Sequence, residues 1–292
     1  MKRSTFIKLL ATSPLLLGAM NLKELDKIAE RFDKTPKMPL LFIGHGHPMN
    51  ALFDNNFTRT LSKIGETIER PNAIMVVSAH WETRGSFVSV NQFPKTIYDF
   101  GGFDERLFQI KYEPQGHPQL AKELISLAPQ FSIKEDAHMG LDHGAWTVLK
   151  YIWPKADIPV FQLSMDYTQG PEYHFALAQA FRKMREKGVL IMGSGNIVHN
   201  LGNLDWYNID AKPFDWALEF DSIVKTQLDK GDFQSLVNYR QFGKTALMSI
   251  PSTDHYLPML YVLGLADKNE QLTYLFEGMQ YGSISMRCFK IA

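Results

Sequence analysis

Leu40-Leu41-Phe42-Ile43-Gly44-His45-Gly46-His47-Pro48 is an apolar run that stops at glycine and histidine. Its length suits a strand buried on both faces, and the glycines after it allow a tight turn and close backbone approach to a ligand. Two further stretches are built the same way: Ile74-Met75-Val76-Val77-Ser78-Ala79-His80-Trp81, and Leu190-Ile191-Met192-Gly193-Ser194-Gly195-Asn196-Ile197-Val198-His199-Asn200. Strand-like runs recur at Pro39–Ile43, Ala73–Val77, Phe87–Val90, Ile158–Leu163, Val189–Met192 and Ile284–Phe289. Between them Phe57–Glu69, Pro118–Leu127, Pro171–Lys187 and Phe214–Leu228 space their apolar residues at three and four, as helices do. Pro118 and Pro171 fit first helical turns. This alternation predicts a single three-layer α/β/α domain with a largely parallel or mixed central sheet. Ligands of such sheets bind beyond the carboxyl ends of the strands, which is where His45, His80 and His199 fall.

Composition narrows the function. The chain has 292 residues, 45% hydrophobic and 21% charged, so it builds an ordinary globular core without disulfides or structural metals. Its 31 basic and 31 acidic residues cancel, which leaves no electrostatic footprint for nucleic acid or an anionic membrane. The single cysteine, Cys288, excludes an internal disulfide and any cysteine-rich zinc or iron–sulfur site. A transition metal therefore needs histidine and carboxylate ligands, and there are nine histidines. At the amino terminus Lys2, Arg3 and Lys8 lead into an apolar run, Leu9 to Met20, that is too short to span a bilayer. The run resembles a secretory signal but lacks a clear small-x-small cleavage site, so the expectation is a cytoplasmic protein with no stable membrane insertion, export being the alternative.

Two more histidines sit at expected loop-to-helix junctions: His143 in Leu141-Asp142-His143-Gly144-Ala145-Trp146, and His255 in Thr253-Asp254-His255-Tyr256 before the apolar helix Leu257–Leu265. A lone histidine is more often a satisfied polar group or a helix cap than a ligand. Three at successive strand ends are harder to dismiss, because a shared metal would satisfy several buried imidazoles at once. Imidazole-rich sites suit zinc, iron, copper or nickel. Spacing alone leaves open which histidines ligate and which act on substrate.

Taken together, these segments resemble the class III extradiol ring-cleavage dioxygenases of the LigB type, and more closely their 4,5-DOPA extradiol dioxygenase-like branch. The likeness runs in order through Leu41–Met49, Ser78–Trp81, Leu141–Trp146, Gly193–Asn200 and Asp254–Pro258. It implies an extension over residues 1–37 and a catalytic domain over residues 38–292. It further implies that His45, His80 and His255 hold one divalent metal ion, with Fe(II) expected for activity and Zn(II) able to occupy the same ligands. His199 then corresponds to the acid/base on the substrate hydroxyl, and His143 to a second histidine that hydrogen-bonds substrate or oxygen. The third ligand is a glutamate in the wider family, so a three-histidine site departs from the usual facial triad. His47 stands where relatives commonly carry serine, and whether it or Asp254 joins the metal shell is left open.

The chemistry implied is opening of a catechol ring beside its two hydroxyls, with insertion of O2. Trp81, Trp146 and Tyr256 are candidate walls for the ring, with core packing the alternative, favoured for Trp146. A zinc hydrolase using His199 as general base and a non-catalytic binding protein on the same fold are the competing readings. His174 and His117 read as structural or helix-start residues and His138 as a loop residue near the entrance. Gly193-Ser194-Gly195 matches neither a dinucleotide fingerprint nor a nucleophile elbow. Cys288 reads as a buried small hydrophobe. The substituent on the catechol falls to loops such as Asn91–Arg106. Sequence is silent on oligomeric state.

Overall fold

The computed structural model describes residues 37–292. The run Leu9 to Met20, with the question of export, lies outside these residues. In chain order the strands are β1 (Leu40–Gly44), β2 (Ala73–Ser78), β3 (Glu82–Thr83), β4 (Phe87–Ser89), β5 (Lys134–Asp136) and β6 (Val160–Gln162). They continue with β7 (Met165–Asp166), β8 (Val189–Gly195), β9 (Leu272–Phe276), β10 (Met279–Gln280), β11 (Ile284–Ser285) and β12 (Cys288–Ile291). The α-helices are α1 (Asn56–Thr67), α2 (Pro118–Leu127), α3 (His143–Ile152), α4 (Pro171–Gln179) and α5 (Arg182–Glu186). After these come α6 (Asp215–Lys230), α7 (Phe233–Val237), α8 (Lys244–Ser249) and α9 (Leu257–Leu265).

The main sheet runs β6-β2-β8-β1-β12-β9, so it is mixed. Its first four strands are parallel; β12 and β9 pair antiparallel at the other edge. Side-chain alternation divides the core in two. Leu40, Phe42, Met75, Val77 and Ile191 face one cluster, which packs against α4, α6 and α9. Leu41, Ile43, Ile74, Val76 and Met192 face the other, packed against α1 and α3. Helices on both faces explain why these strands carry no polar side: there is no solvent for one to meet.

Local chemistry sets the helix starts. Asn55 and Thr58 form a reciprocal capping box at α1. Pro118 and Pro171 occupy first turns. Asp142 caps α3 by accepting from the Ala145 N–H at 3.2 Å, which makes His143 that helix's first residue. The structure corrects the expected elements in three places. Pro171–Lys187 breaks between α4 and α5, which turns Phe181, Met184 and Arg185 into the interior. Phe87–Ser89 leaves the main sheet to pair with β5. Ile284–Phe289 divides into β11 and β12. No helix of the described residues is long and apolar enough to cross a membrane.

Candidate metal centre and active site

The parallel strands deliver the histidines to one edge. His45 directly follows β1, His80 stands two residues past the end of β2, and the loop after β8 carries His199. Gly46, at φ 66°, turns the chain between His45 and His47, a conformation a side chain resists. At Gly195 the backbone of His255 lies so close that a Cβ would stand 2.2 Å from its carbonyl oxygen. That approach, with the Asn196 N–H donating to the same oxygen at 2.8 Å, docks His255 against the end of β8.

Ring centroids of His45, His80 and His255 stand 5.1, 5.2 and 4.9 Å apart, close to an equilateral triangle. A ligating imidazole is centred about 3.2 Å from its cation, given a bond of about 2.1 Å, so ring centres stand about 4.6 Å apart at right angles and about 5.3 Å at the tetrahedral angle. The triangle lies inside that range. His45 Nε2 and His80 Nε2 face each other at 3.2 Å. The hydrogen-bond network fixes the tautomers. Ser194 spends its proton on the Gly144 carbonyl at 2.5 Å, so it accepts from His45 Nδ1 at 3.0 Å and leaves Nε2 with a lone pair. Asp254 accepts from His255 Nδ1 at 2.5 Å with the same result. Asp99 lies 3.5 Å from His80 Nδ1. Converging lone pairs backed by carboxylate or hydroxyl acceptors are the arrangement of a metal-binding cluster.

Electrostatics agree. Burial, then the neighbouring imidazoles, holds His45 and His255 well below the ordinary histidine value. Burial and His143 bring His80 to about 3, against the opposing charge of Asp99. The imidazoles are therefore neutral at pH 7, the form that ligates. At Asp99 burial raises the carboxyl, but the His143 hydrogen bond and nearby imidazoles leave it below its ordinary value.

The other two histidines flank this triangle. His199 stacks on His255, centroids 3.5 Å apart and planes at 8°. His143 lies 3.8 Å from His80, and Asp99 holds it twice, at Nδ1 (2.8 Å) and at its backbone N–H (2.9 Å). Ring nitrogens of His45, His80 and His143 also come within 4.8 Å of one another, as do the ligand atoms of His199, Asp254 and His255. Proximity alone would thus admit His143 as a ligand. Asp254 has one oxygen on His255 and a second, buried one with no hydrogen-bond partner.

A cavity of about 500 Å³ opens over these groups. Its lining includes His80, His143, His199 and His255, together with Phe100, Phe103 and Trp206. His47 lines the wall outside both clusters: its Nδ1 accepts from the Met49 N–H at 3.3 Å and its ring meets Phe103 edge-on. The expected walls are elsewhere. Trp81, Trp146 and Tyr256 are core residues, the last two donating to the carbonyls of Ile97 and Leu236. Sequence reasoning pointed to the loop Asn91–Arg106 without singling out Asp99, Phe100 or Phe103, although Tyr98–Phe103 is dense in aromatics beside an acid, and it missed Trp206. His117 caps α2, His174 is buried against the Tyr261 hydroxyl, and His138 is exposed away from the cavity.

Histidines gathered at the carboxyl edge of a doubly covered sheet, under an aromatic-walled cavity, define a metal-binding enzyme site for a small ring. Residues 35–288 match the family described as the catalytic LigB subunit of aromatic ring-opening dioxygenase, and the chain belongs to that family. It is an extradiol ring-opening dioxygenase that takes a small aromatic substrate and O2. It is similar to the "4,5-DOPA dioxygenase extradiol" of Escherichia coli K12, 43% identical over 87% of this chain and 95% of that one. A protein of the same name from Beta vulgaris is 35% identical over 85% and 94%. A crystal structure of an uncharacterized protein of Escherichia coli K12 superposes with a TM-score of 0.77 at 40% identity, covering 87% of this chain and all of that one.

Proposed function

We propose that this enzyme opens a DOPA-like or other substituted catechol at the bond beside its paired hydroxyls, with Fe(II) held by His45, His80 and His255. The observation that carries this reading is the triangle of neutral imidazoles with His199 stacked on one corner and the cavity above. When bound, the ion would chelate the two phenolic oxygens, acidify the first hydroxyl and couple electron flow between the ring and O2, which zinc, being d10, does not do.

The protein's own groups do the rest. Burial holds His199 at about 4, with Asp254 opposing and His143 adding to the fall, so it is neutral at pH 7 and offers a lone pair to the second hydroxyl proton. Asp99 fixes the His143 ring with its far nitrogen free to hydrogen-bond substrate or oxygen. Asp254 and Ser194 orient two of the three proposed ligands from behind. Phe100 and Phe103 give the cavity an apolar wall for the ring to lie against. One ring C–C bond breaks, both oxygen atoms enter the product, and the proton taken by His199 returns as the ring opens.

Anaerobic loading with Fe(II), then addition of catechol and air, tests the proposal. A yellow ring-opened semialdehyde is the expected product; bound iron with unchanged catechol contradicts it.

A further inference from the structure

A row of rings lines the cavity and leads away from the metal cluster. Between centroids His143 meets Phe100 at 5.4 Å, Phe100 meets Phe103 at 5.7 Å and Phe103 meets His47 at 4.6 Å. Among the described residues the lining includes no lysine and no arginine. Its one amide, Asn200, is committed: it donates to the Met248 carbonyl at 2.7 Å and accepts from the Gly202 N–H at 3.0 Å. His47 differs from these. Gly46, at φ 66°, breaks the alternation that would turn His45 and His47 to one side, so His45 joins the imidazole cluster and His47 stays outside it. The Met49 N–H donates to His47 Nδ1 at 3.3 Å, which puts the ring proton on Nε2. Among the described residues no group accepts that proton, and the side chain lines the cavity. Phe103, Tyr281 and Trp206 pack round the ring, the last two at 5.1 and 6.1 Å, so the donor has its direction before anything binds.

Resting on the catechol reading of this site, we propose that His47 determines specificity by donating its Nε2–H to a carboxylate oxygen on the substituent of the catechol, while Phe103 and Trp206 pack against the carbon chain between. A DOPA-like substituent carries such a carboxylate. A hydrogen bond to a charged acceptor is about twice as strong as a neutral one, and it offsets the water that a carboxylate loses against an apolar wall. The Trp206 indole and the Ser252 hydroxyl add two neutral donors to the same lining. Asp254, the one carboxylate on the wall, is grouped with His199 and His255 rather than with His47.

Two catechols that differ only at the end of the chain test this at pH 7: 3-(3,4-dihydroxyphenyl)propionic acid and 4-propylcatechol. Binding is measured calorimetrically on Fe(II)-loaded protein without O2, and kcat and KM in air. The parent protein is expected to bind the acid at least as tightly as 4-propylcatechol. His47→Asn keeps an acceptor for the Met49 N–H but places nothing where Nε2 stands. It is expected to lower the acid-to-propyl ratio of kcat/KM about tenfold, through KM, the scale of one hydrogen bond to a charged group. His47→Gln, whose amide nitrogen reaches that place, is expected to recover most of the ratio. A merely structural role for His47 would move both compounds together and leave the ratio where it was. A parent that favours 4-propylcatechol, an unchanged ratio in His47→Asn, or a ratio no better in His47→Gln than in His47→Asn overturns the inference, while the catechol reading survives all three. If the parent neither binds nor opens either compound, the catechol reading fails and takes the inference with it.

Discussion

The two ends of the sheet carry cavities of opposite character. At the amino edge, where Leu272 and Ile291 pair beside the start of β1, a cavity of about 830 Å³ is lined by Arg182, Lys230, Asp229, Asp267 and Glu270 among others. Charges there are matched: buried Arg185 holds Glu270, and Lys37 pairs with Asp267 and Glu270. The carboxyl-edge cavity is smaller, about 500 Å³, yet there the imidazoles converge with lone pairs facing one another. The lesson is that size does not mark a site. A cluster that lacks a positive charge of its own does, because its buried donors are satisfied only by something brought in.

Substitutions at the two ends therefore fail differently. At the carboxyl edge the largest loss is expected from His80→Ala, which removes metal and with it all turnover, read by metal content after anaerobic loading. His199→Ala keeps its metal and loses turnover by about 10²–10⁴-fold, the scale of a proton-transfer group. If it also loses metal, its assignment as base is wrong. At the amino edge Arg185→Met takes one of two cations from Glu270, Lys37 remaining, and removes the donors to the Met38 and Leu265 carbonyls. That costs about 1–3 kcal/mol of stability with metal content unchanged, read by denaturant unfolding. Metal loss in that variant would mean that the two ends are coupled. Asp99→Asn is smaller still: about 10–100-fold in turnover with metal retained, the effect of loosening an orienting partner.

Acidity sharpens the same contrast. Burial, the leading cause in each case, holds His47, His174 and His199 at about 4 against an ordinary 6.5. A depressed folded-state value means that protonation favours the unfolded chain, so this contribution is complete above pH 6.5. It is lost as pH falls toward about 4, by at most about 1.4 kcal/mol per pH unit per imidazole. Melting temperatures of metal-free protein should fall across that window; a flat profile would contradict neutral burial of the histidines.

How much of this was legible beforehand depends on whether a residue's place is set by its neighbours in sequence. His45, His80 and His199 announced themselves because an apolar run fixes a strand and its end fixes where the next side chains emerge. Asp142 and His143 were legible as a helix start for the same local reason. The antiparallel edge strand Leu272–Phe276 escaped because its half-buried residues lack the apolar density of the central strands. The loop Asn91–Arg106 was legible as a segment, but that Asp99, Phe100 and Phe103 are its residues at the site was not, nor was Trp206, because in loops only tertiary contacts set direction. The choice of Trp81, Trp146 and Tyr256 as walls failed because closeness to a motif in sequence says nothing of which way a side chain points. Trp146, for one, faces away to the Ile97 carbonyl.

The central claim is the identity of the triangle. A crystal structure of the protein loaded anaerobically with Fe(II) should show one ion bonded to Nε2 of His45, His80 and His255 at about 2.1–2.2 Å, with an open side toward the cavity. An ion held by His143 in place of His255, or bound outside this cluster, would contradict the account.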